Sequence, residues 1–527
     1  MKNARLSWTR RTVATLLFVA AIFVPTGAHA ADTDAAKELY AAKCAVCHGG
    51  DRGGYIGPAL NPQPLKRFTE GQLVAKIKTG GVGTLMPRHA QFFEILSDQQ
   101  ISTLAHLIKT APQEVASWSL ADITASLTVH VADETTLPTK PTYDIADMDD
   151  LMAVMARGRY AAGDAAKAVF FDGRTNTKVG EVVTRFAPHL LDYHPIDERW
   201  AYLTTDAGYV FKIDLYSLQA VRSVRVGLNG VSLAISRDGR YVAAGSYIPN
   251  TAVILDAVTL APVKLLQLKG TDPDGHVVES DSGVILGTPY ADVFVMALEQ
   301  SGQVWVVDLS QPGLPITKIP NVGRHLHDAF LSPSGRYVAM SSYDDNVITA
   351  IDLRDMKIVR KMPAGRQPHV GSGAIIQVDG RTLGIGTNIG TPPSGENFVT
   401  VFDMDTFEVV KQIPVLGPTE SPAAHPKAPY IVVDIVGAAG AAKIQFIDKT
   451  SLEVVKTISV GGHSHFPEYT ARGDYLYVSA GYGGDKVVVY HSDTLKKVKS
   501  FALEVPAGIY SHVRARTVAV GLEPMRP

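Results

Sequence analysis

Lys443-Ile444-Gln445-Phe446-Ile447-Asp448-Lys449-Thr450-Ser451-Leu452-Glu453-Val454-Val455-Lys456-Thr457-Ile458 holds the unit that decides the fold: an apolar strand ending in Asp, a short turn, then a strand of the form Leu-x-Val-Val-Lys-x-Ile. A Gly follows, and further on a Gly-Arg-Tyr turn leads into another apolar strand, as at Gly335-Arg336-Tyr337. Outward from this segment the strand-ending pair recurs as Phe171-Asp172, Ile213-Asp214, Leu255-Asp256, Val307-Asp308, Ile351-Asp352 and Phe402-Asp403, and Tyr490-His491 is an eighth copy with His in place of Asp. The spacings run from 42 to 52 residues, the period of a four-stranded propeller blade. Alternating runs such as Tyr475-Leu476-Tyr477-Val478 read as strands rather than helices. The expected fold is therefore mainly β, an eight-bladed β-propeller over residues 150–527. A strand around Arg516 to Leu522 is expected to complete a blade begun near Ala153 to Tyr160, closing the ring and removing its edges.

At 527 residues the chain exceeds one ordinary core, so a second domain is expected. The formal net charge of −2 removes the broad attraction that nucleic acid or an anionic membrane surface requires. Residues 1–30 read as a secretory signal: Lys2, Arg5, Arg10 and Arg11, an apolar run from Val13 to Val24, and Ala28-His29-Ala30 as a small-residue cleavage site. A retained anchor is the alternative, but the apolar stretch falls short of the roughly 20 residues that span a bilayer. A periplasmic mature chain beginning at Ala31, with no membrane span, is the expectation. Thr9-Arg10-Arg11 leaves the export route open.

The two cysteines fall in Cys44-Ala45-Val46-Cys47-His48. Covalent haem c needs two thiols at that separation for its vinyl groups and a histidine that follows as axial ligand. A redox disulfide is the competing reading, but it would want a βαβ context and gains nothing from His48. A small all-α cytochrome c domain is thus expected over 31–114. Its helices run from about Asp34 through Ala42 and from Asp98 to Lys109, the latter opened by a Ser97-x-x-Gln100 capping box. Met86, in Thr84-Leu85-Met86-Pro87, is the candidate sixth ligand, a soft thioether that favours reduced iron, with His89 in reserve. Gly50-Asp51-Arg52-Gly53-Gly54 and Gly57-Pro58-Ala59-Leu60 form a glycine-rich loop at the haem edge. A Thr-, Asp- and Pro-rich linker occupies 115–149.

Most histidines in a globular chain are half-buried, hydrogen-bonded side chains, yet five here recur just before expected inner strands: His189, His327, His369, His425 and His465. Repetition at one end of successive blades is what a channel-mouth metal or haem site requires. Structural zinc is disfavoured because the ligands come from separate blades. A second, non-covalent haem fits better.

A c-type domain followed by an eight-bladed propeller with these histidines resembles the cytochrome cd1 group, whose propeller holds haem d1. Phe186-Ala187-Pro188-His189 with Glu198-Arg199-Trp200 resembles the segment carrying the proximal ligand, which implies that role for His189. Arg324-His325-Leu326-His327-Asp328 and Gly365-Arg366-Gln367-Pro368-His369 resemble the two distal histidine segments. Arg157 and Arg185 are the candidates for the haem carboxylates, by bidentate contacts. Gly227-Leu228-Asn229-Gly230 departs from the group in lacking a basic residue.

Two reactions are known in that group. The nitrite reductase delivers one electron and two protons to nitrite, and His327 and His369 would be its proton donors. The dehydrogenase treats dihydro-haem d1 as substrate and oxidises a propionate side chain to acrylate, with electrons leaving through haem c. His465, and Tyr510 in Pro506-Ala507-Gly508-Ile509-Tyr510, resemble its catalytic residues, with His369 then the distal iron ligand. The glycine-rich loop and the Pro-Ala-Gly-Ile-Tyr segment favour the dehydrogenase. The third reading is a haem d1 carrier or electron-transfer module. A small redox protein is the expected electron acceptor or donor.

Overall fold

The structure, a computed structural model, describes residues 27–48, 52, 60, 65, 68–79, 96–111, 117–158, 166–371, 373–390, 394–436 and 442–513. The chain is mainly β, an eight-bladed propeller behind a small helical domain, as the repeat implied. Blade 1 orders its strands as Pro506–Ser511, Leu151–Ala156, Lys167–Asp172 and Thr177–Val183. The inner strands of blades 2 to 8 are Pro188–Tyr193, Asn229–Ile235, Ser282–Gly287, Leu326–Leu331, Ala374–Val378, Pro422–Ala423 and Glu468–Tyr469. The ring is closed by Pro506–Ser511 pairing with Leu151–Ala156, Tyr510 opposite Ala153. This corrects the expectation for Arg516 to Leu522, which lies outside the described residues. The Gly508 backbone, at φ +91°, lets the Tyr510 ring lie 3.0 Å from where a side chain at 508 would begin, inside the strand Pro506–Ser511.

Each repeat element has a physical task. The strand-ending Asp caps the following turn: Asp352 Oδ1 accepts from Arg354 N at 2.9 Å, and Asp448 Oδ1 accepts from Thr450 N and Ser451 N at 3.0 and 2.8 Å. The Leu of Leu-x-Val-Val sits with positive φ, +52° at Leu452, +58° at Leu260 and +57° at Leu495. That conformation costs on the order of 1–2 kcal/mol for a residue with a Cβ. Leu260 is nonetheless fully buried, and burying a Leu side chain returns about 1.5–3 kcal/mol, so burial wins. Eight apolar clusters fill the eight spaces between neighbouring blades, ending with Met152, Val154 and Phe171 of blade 1 against Tyr477, Val487 and Val489 of blade 8.

The described part of the 115–149 segment is a strap on the propeller. Ser119 and Asp122 make a capping box for helix Leu120–Ser126, whose Ile123 is buried against blades 2 and 3. Thr128–Val129 then adds a fifth strand to blade 2, and Glu134 takes Lys212 and Arg222 at 2.8 Å each. The strap thereby covers the outer edge of that blade.

In the helical domain the first helix spans Gly27–Lys43, beginning ahead of the expected Asp34 start, and another spans Asp98–Thr110. The second is opened by the expected capping box, Ser97 N to Gln100 Oε1 at 2.8 Å and Gln100 N to Ser97 Oγ at 3.2 Å. Tyr40, Leu73, Leu104 and Ile108 form its core. Among the described residues no helix is long and apolar enough to cross a membrane. The apolar run at 13–24, Met86, His89 and nearly all of the glycine-rich loop lie outside the described residues.

Candidate functional site

Inner strands run along the channel, so the residues that begin them gather at one mouth. There the chain builds a crown of alternating imidazoles and carboxylates. On blade 2, His189 Nδ1 is 2.9 Å from Asp206 Oδ1, and the other Asp206 oxygen takes Arg157 Nη2. Burial alone would raise Asp206, but Arg157 and His189 outweigh it and hold the carboxyl below its ordinary value. Tyr510 donates from its hydroxyl to the His189 carbonyl at 3.0 Å, and Tyr193 donates to the Tyr510 carbonyl at 3.1 Å. Tyr510 thus bonds both ends of the strand that carries His189, through the His189 carbonyl and the Tyr193 hydroxyl.

On blade 5, Tyr343 lies between two histidine rings, 5.2 Å from His325 and 4.8 Å from His327, nearly parallel to both. His325 Nε2 is 3.2 Å from the buried Glu299, which also accepts from the Tyr247 hydroxyl at 2.8 Å. Asp328 serves two imidazoles at once: His327 Nδ1 is 2.9 Å from Oδ1 and His369 Nδ1 is 3.0 Å from Oδ2. Burial pushes Asp328 up, yet His369 and His327 together hold it down at about 2. The hydrogen on His369 Nδ1 goes to the Glu420 carbonyl at 2.9 Å, so the Asp328 Oδ2 contact is one of charge rather than a hydrogen bond. A carbonyl can only accept, so the proton stays on Nδ1 and the Nε2 lone pair is left for a ligand.

Blades 7 and 8 complete the crown. Glu420 Oε1 is 3.4 Å from His465 Nε2, and Oε2 is 3.6 Å from His463 Nε2. Burial works against a charged Glu420, but His465, His463 and His369 overcome it and keep the carboxylate well below the ordinary range. Its neighbour Asp434 goes the other way, raised to about 7 by burial and by the Glu420 charge. Asp434 Oδ1 accepts from Glu420 N and Ser421 N at 2.8 Å each, and its buried Oδ2 has no hydrogen-bond partner. His465 is lowered by burial, with Glu420 opposing that and Arg157 adding to it. His465 Nδ1 is buried without a hydrogen-bond partner.

The structure therefore brings His189, His327, His369, His465, Tyr510 and Arg157 together, with His189 and His327 inside their inner strands rather than ahead of them. His425 is not part of the crown. It follows the inner strand of blade 7 and sits at the opposite end, its Nε2 at 3.1 Å from the Ala471 carbonyl of blade 8. Glu420 takes the place expected for it, because the short strand Pro422–Ala423 begins before His425. Arg185 is exposed in the loop entering blade 2, where its charge acts on His130 of the strap. Arg157 is engaged by Asp206 and acts on His189 through it. Sequence reasoning missed the carboxylates Asp206, Glu299, Asp328, Glu420 and Asp434. Only Asp328, adjacent to His327, carried a local signal.

In the helical domain, the short helix Ala45–His48 buries His48, and Cys44 just before it is half-buried. His48 N donates to the Cys44 carbonyl at 2.9 Å.

Residues 146–515 match the family model described as "Cytochrome D1 heme domain". The chain belongs to the cytochrome d1 haem domain family. Residues 31–108 match the model "Cytochrome C oxidase, cbb3-type, subunit III". This family member is 31% identical over 481 residues to the dihydro-heme d1 dehydrogenase of Pseudomonas aeruginosa, covering 90% of this chain and 93% of that one. It is 25% identical over 517 residues to a nitrite reductase of Stutzerimonas stutzeri, covering 89% and 90%. Among solved structures it resembles "Dihydro-heme d1 dehydrogenase NirN in complex with DHE", at TM-score 0.73 and 29% identity, covering 91% of this chain and 99% of that one. A c-type haem and a non-covalent haem of the d1 type follow for this domain pair. An eight-membered ring sets blades 2 and 6 across the channel from each other, so His189 and His369 come to the crown from opposed blades.

Proposed function

We propose that this chain is a dihydro-haem d1 dehydrogenase, an oxidoreductase that converts a propionate side chain of the haem d1 precursor to acrylate. The reaction takes –CH2–CH2–COO⁻ to –CH=CH–COO⁻ with two protons and two electrons released. The observation that carries it is His465, an imidazole in the crown with one nitrogen on a carboxylate and the other without a partner, which is what a general base needs. The similarity to the Pseudomonas dehydrogenase, at higher identity than to the nitrite reductase, supports the same reading.

In this reading His189 is the proximal iron ligand and His369 the distal one, Arg157 and Asp206 hold His189, and His327 lies beside His369. Tyr510 is the second catalytic residue; its hydroxyl touches the His189 residue, and Gly508 of the same strand donates to the His465 carbonyl at 3.3 Å. Cys44 and Cys47 bind haem c, with His48 and Met86 as its axial ligands. Held by these residues, haem c would supply a one-electron outlet toward a small redox protein in the periplasm.

The test supplies the purified haem c-loaded chain with dihydro-haem d1 and a one-electron acceptor. Absorption should change to that of haem d1, with two acceptor equivalents reduced per conversion. His465→Gln should slow conversion by about 10²–10⁴-fold, the usual worth of a general base, with binding retained. Binding with no conversion in the wild type would leave a carrier, and turnover of nitrite would make the chain a reductase.

A further inference from the structure

The assignment of His465 does not say which of its nitrogens receives the proton, or what stabilises the charge that follows. Glu420 answers both. Its carboxylate lies 3.4 Å from Nε2, a separation typical of catalytic contacts before substrate binds, while Nδ1 of the same ring is buried with no partner. A carboxylate can only accept, so it selects the tautomer with hydrogen on Nε2 and leaves the lone pair on Nδ1. The backbone around Glu420 is fixed by the Glu420 and Ser421 N–H groups, which both donate to Asp434 Oδ1, and by His369 and the Thr387 hydroxyl, which donate to the Glu420 carbonyl at 2.9 and 3.1 Å.

We propose that Glu420 is the positioning residue of the dehydrogenation: it takes Nε2–H of His465, directs Nδ1 as the base atom, and stabilises the imidazolium once formed. This rests on the dehydrogenase reading. In the step, a C–H bond of the propionate breaks and an N–H bond forms at Nδ1. The second hydrogen leaves as a proton to solvent, and a one-electron redox acceptor takes up the two electrons in turn, with haem c, when bound at Cys44, Cys47 and His48, as the group that would supply their outlet. The same residue joins the two halves of the site, its carbonyl holding the Nδ1–H of His369 and its side chain holding His465. The charged and titratable groups acting on His465 are Glu420, His463 and Arg157, and Glu420 alone favours the cation.

The discriminating variant is Glu420→Gln in the full haem c-loaded chain, because the amide keeps the size and can still accept from Nε2–H without the charge. Binding of dihydro-haem d1, followed by absorption, should stay within about twofold, while the single-turnover rate falls by about 10²-fold. The ascending limb of the pH–rate profile should move to lower pH, since removal of the anion makes the imidazole easier to deprotonate; a residue that merely supports the fold would leave that limb in place. Nitrogen NMR of labelled histidine, with His465 identified by its loss in His465→Gln, should show the Nε2–H tautomer without any turnover. An Nδ1–H tautomer, or full rate in Glu420→Gln, overturns the proposal. A wild type that shows the expected tautomer yet converts nothing overturns the dehydrogenase reading instead.

Discussion

The two ends of the propeller channel use the same side chain for opposite purposes. At the crown each histidine meets a carboxylate: His189 with Asp206, His325 with Glu299, His327 and His369 with Asp328, His463 and His465 with Glu420. At the other end, just past the inner strands, the imidazoles bond main-chain carbonyls of the next blade, His194 to Gly239, His425 to Ala471 and His512 to Glu198, each at 3.1 Å, and His512 alone of these three also faces a carboxylate, Asp149, at 3.8 Å. Blade 4 does the same with Thr288, whose hydroxyl donates to Gly335 at 2.7 Å. A carboxylate stabilises a charged imidazole, whereas in the buried seam desolvation pushes His425 and His194 toward the neutral form and outweighs the carbonyl bond, which acts the other way. Chemistry is thereby confined to one mouth and stitching to the other.

The stitches also explain the repeat's glycine. Gly473 has φ +75°, and a side chain there would begin 2.2 Å from the His425 ring; Gly239 stands in the same relation to His194 at 2.1 Å. The glycine of one blade is required by the histidine of the blade before it.

The largest expected effect that separates the two ends is on stability. His425→Ala removes a buried ring and its inter-blade bond and should cost about 3 kcal/mol in denaturant unfolding, with haem d1 precursor binding unchanged in the folded fraction. Loss of binding at equal stability would erase the division between the ends. The same residue sets a pH signature. Burial lowers His425 from 6.5 to about 4, so the unfolded chain binds the proton more readily in that interval. Its contribution is fully present above pH 6.5 and is lost as pH falls toward about 4, a change on the order of 3 kcal/mol, and thermal melts across that window should flatten in the Ala variant.

At the crown, Asp206→Asn keeps the shape but leaves Arg157 without its anion and His189 without its orienting charge. Affinity for dihydro-haem d1 should fall by about 10–100-fold in an absorption titration, with the melting temperature little changed. Unaltered affinity would mean that His189 is held by its strand and Tyr510 alone. The smallest effect belongs to the turns. Asp352→Ala removes the cap on Arg354 N and the partner of Arg336 Nε at 2.8 Å, and calorimetry should register about 1 kcal/mol with both mouths unaffected.

Much of this was legible in one dimension because it depends on local chemistry. A turn needs its cap within three residues and a strand alternates by two, so the strand-ending Asp, the buried Leu after it and the Gly-Arg-Tyr turn reported eight blades at the right period. The Cys44-x-x-Cys47-His48 motif is equally local. His189, His327, His369 and His465 were legible as members of a recurring position, and His425 was misplaced because an inner strand of two residues shifts its blade's phase.

What only the tertiary structure decided is the company each histidine keeps. Asp328 reaches His369 across 41 positions, Glu420 reaches His465 across 45, and Asp206 joins Arg157 across 49. Such pairs come from neighbouring blades brought edge to edge by apolar seams, and no periodicity along the chain records them. Ring closure shows the same limit: which C-terminal segment pairs with Leu151–Ala156 depends on register between the two ends of the chain, and Pro506–Ser511 takes the place because its glycine lets Tyr510 fold against the strand that carries His189.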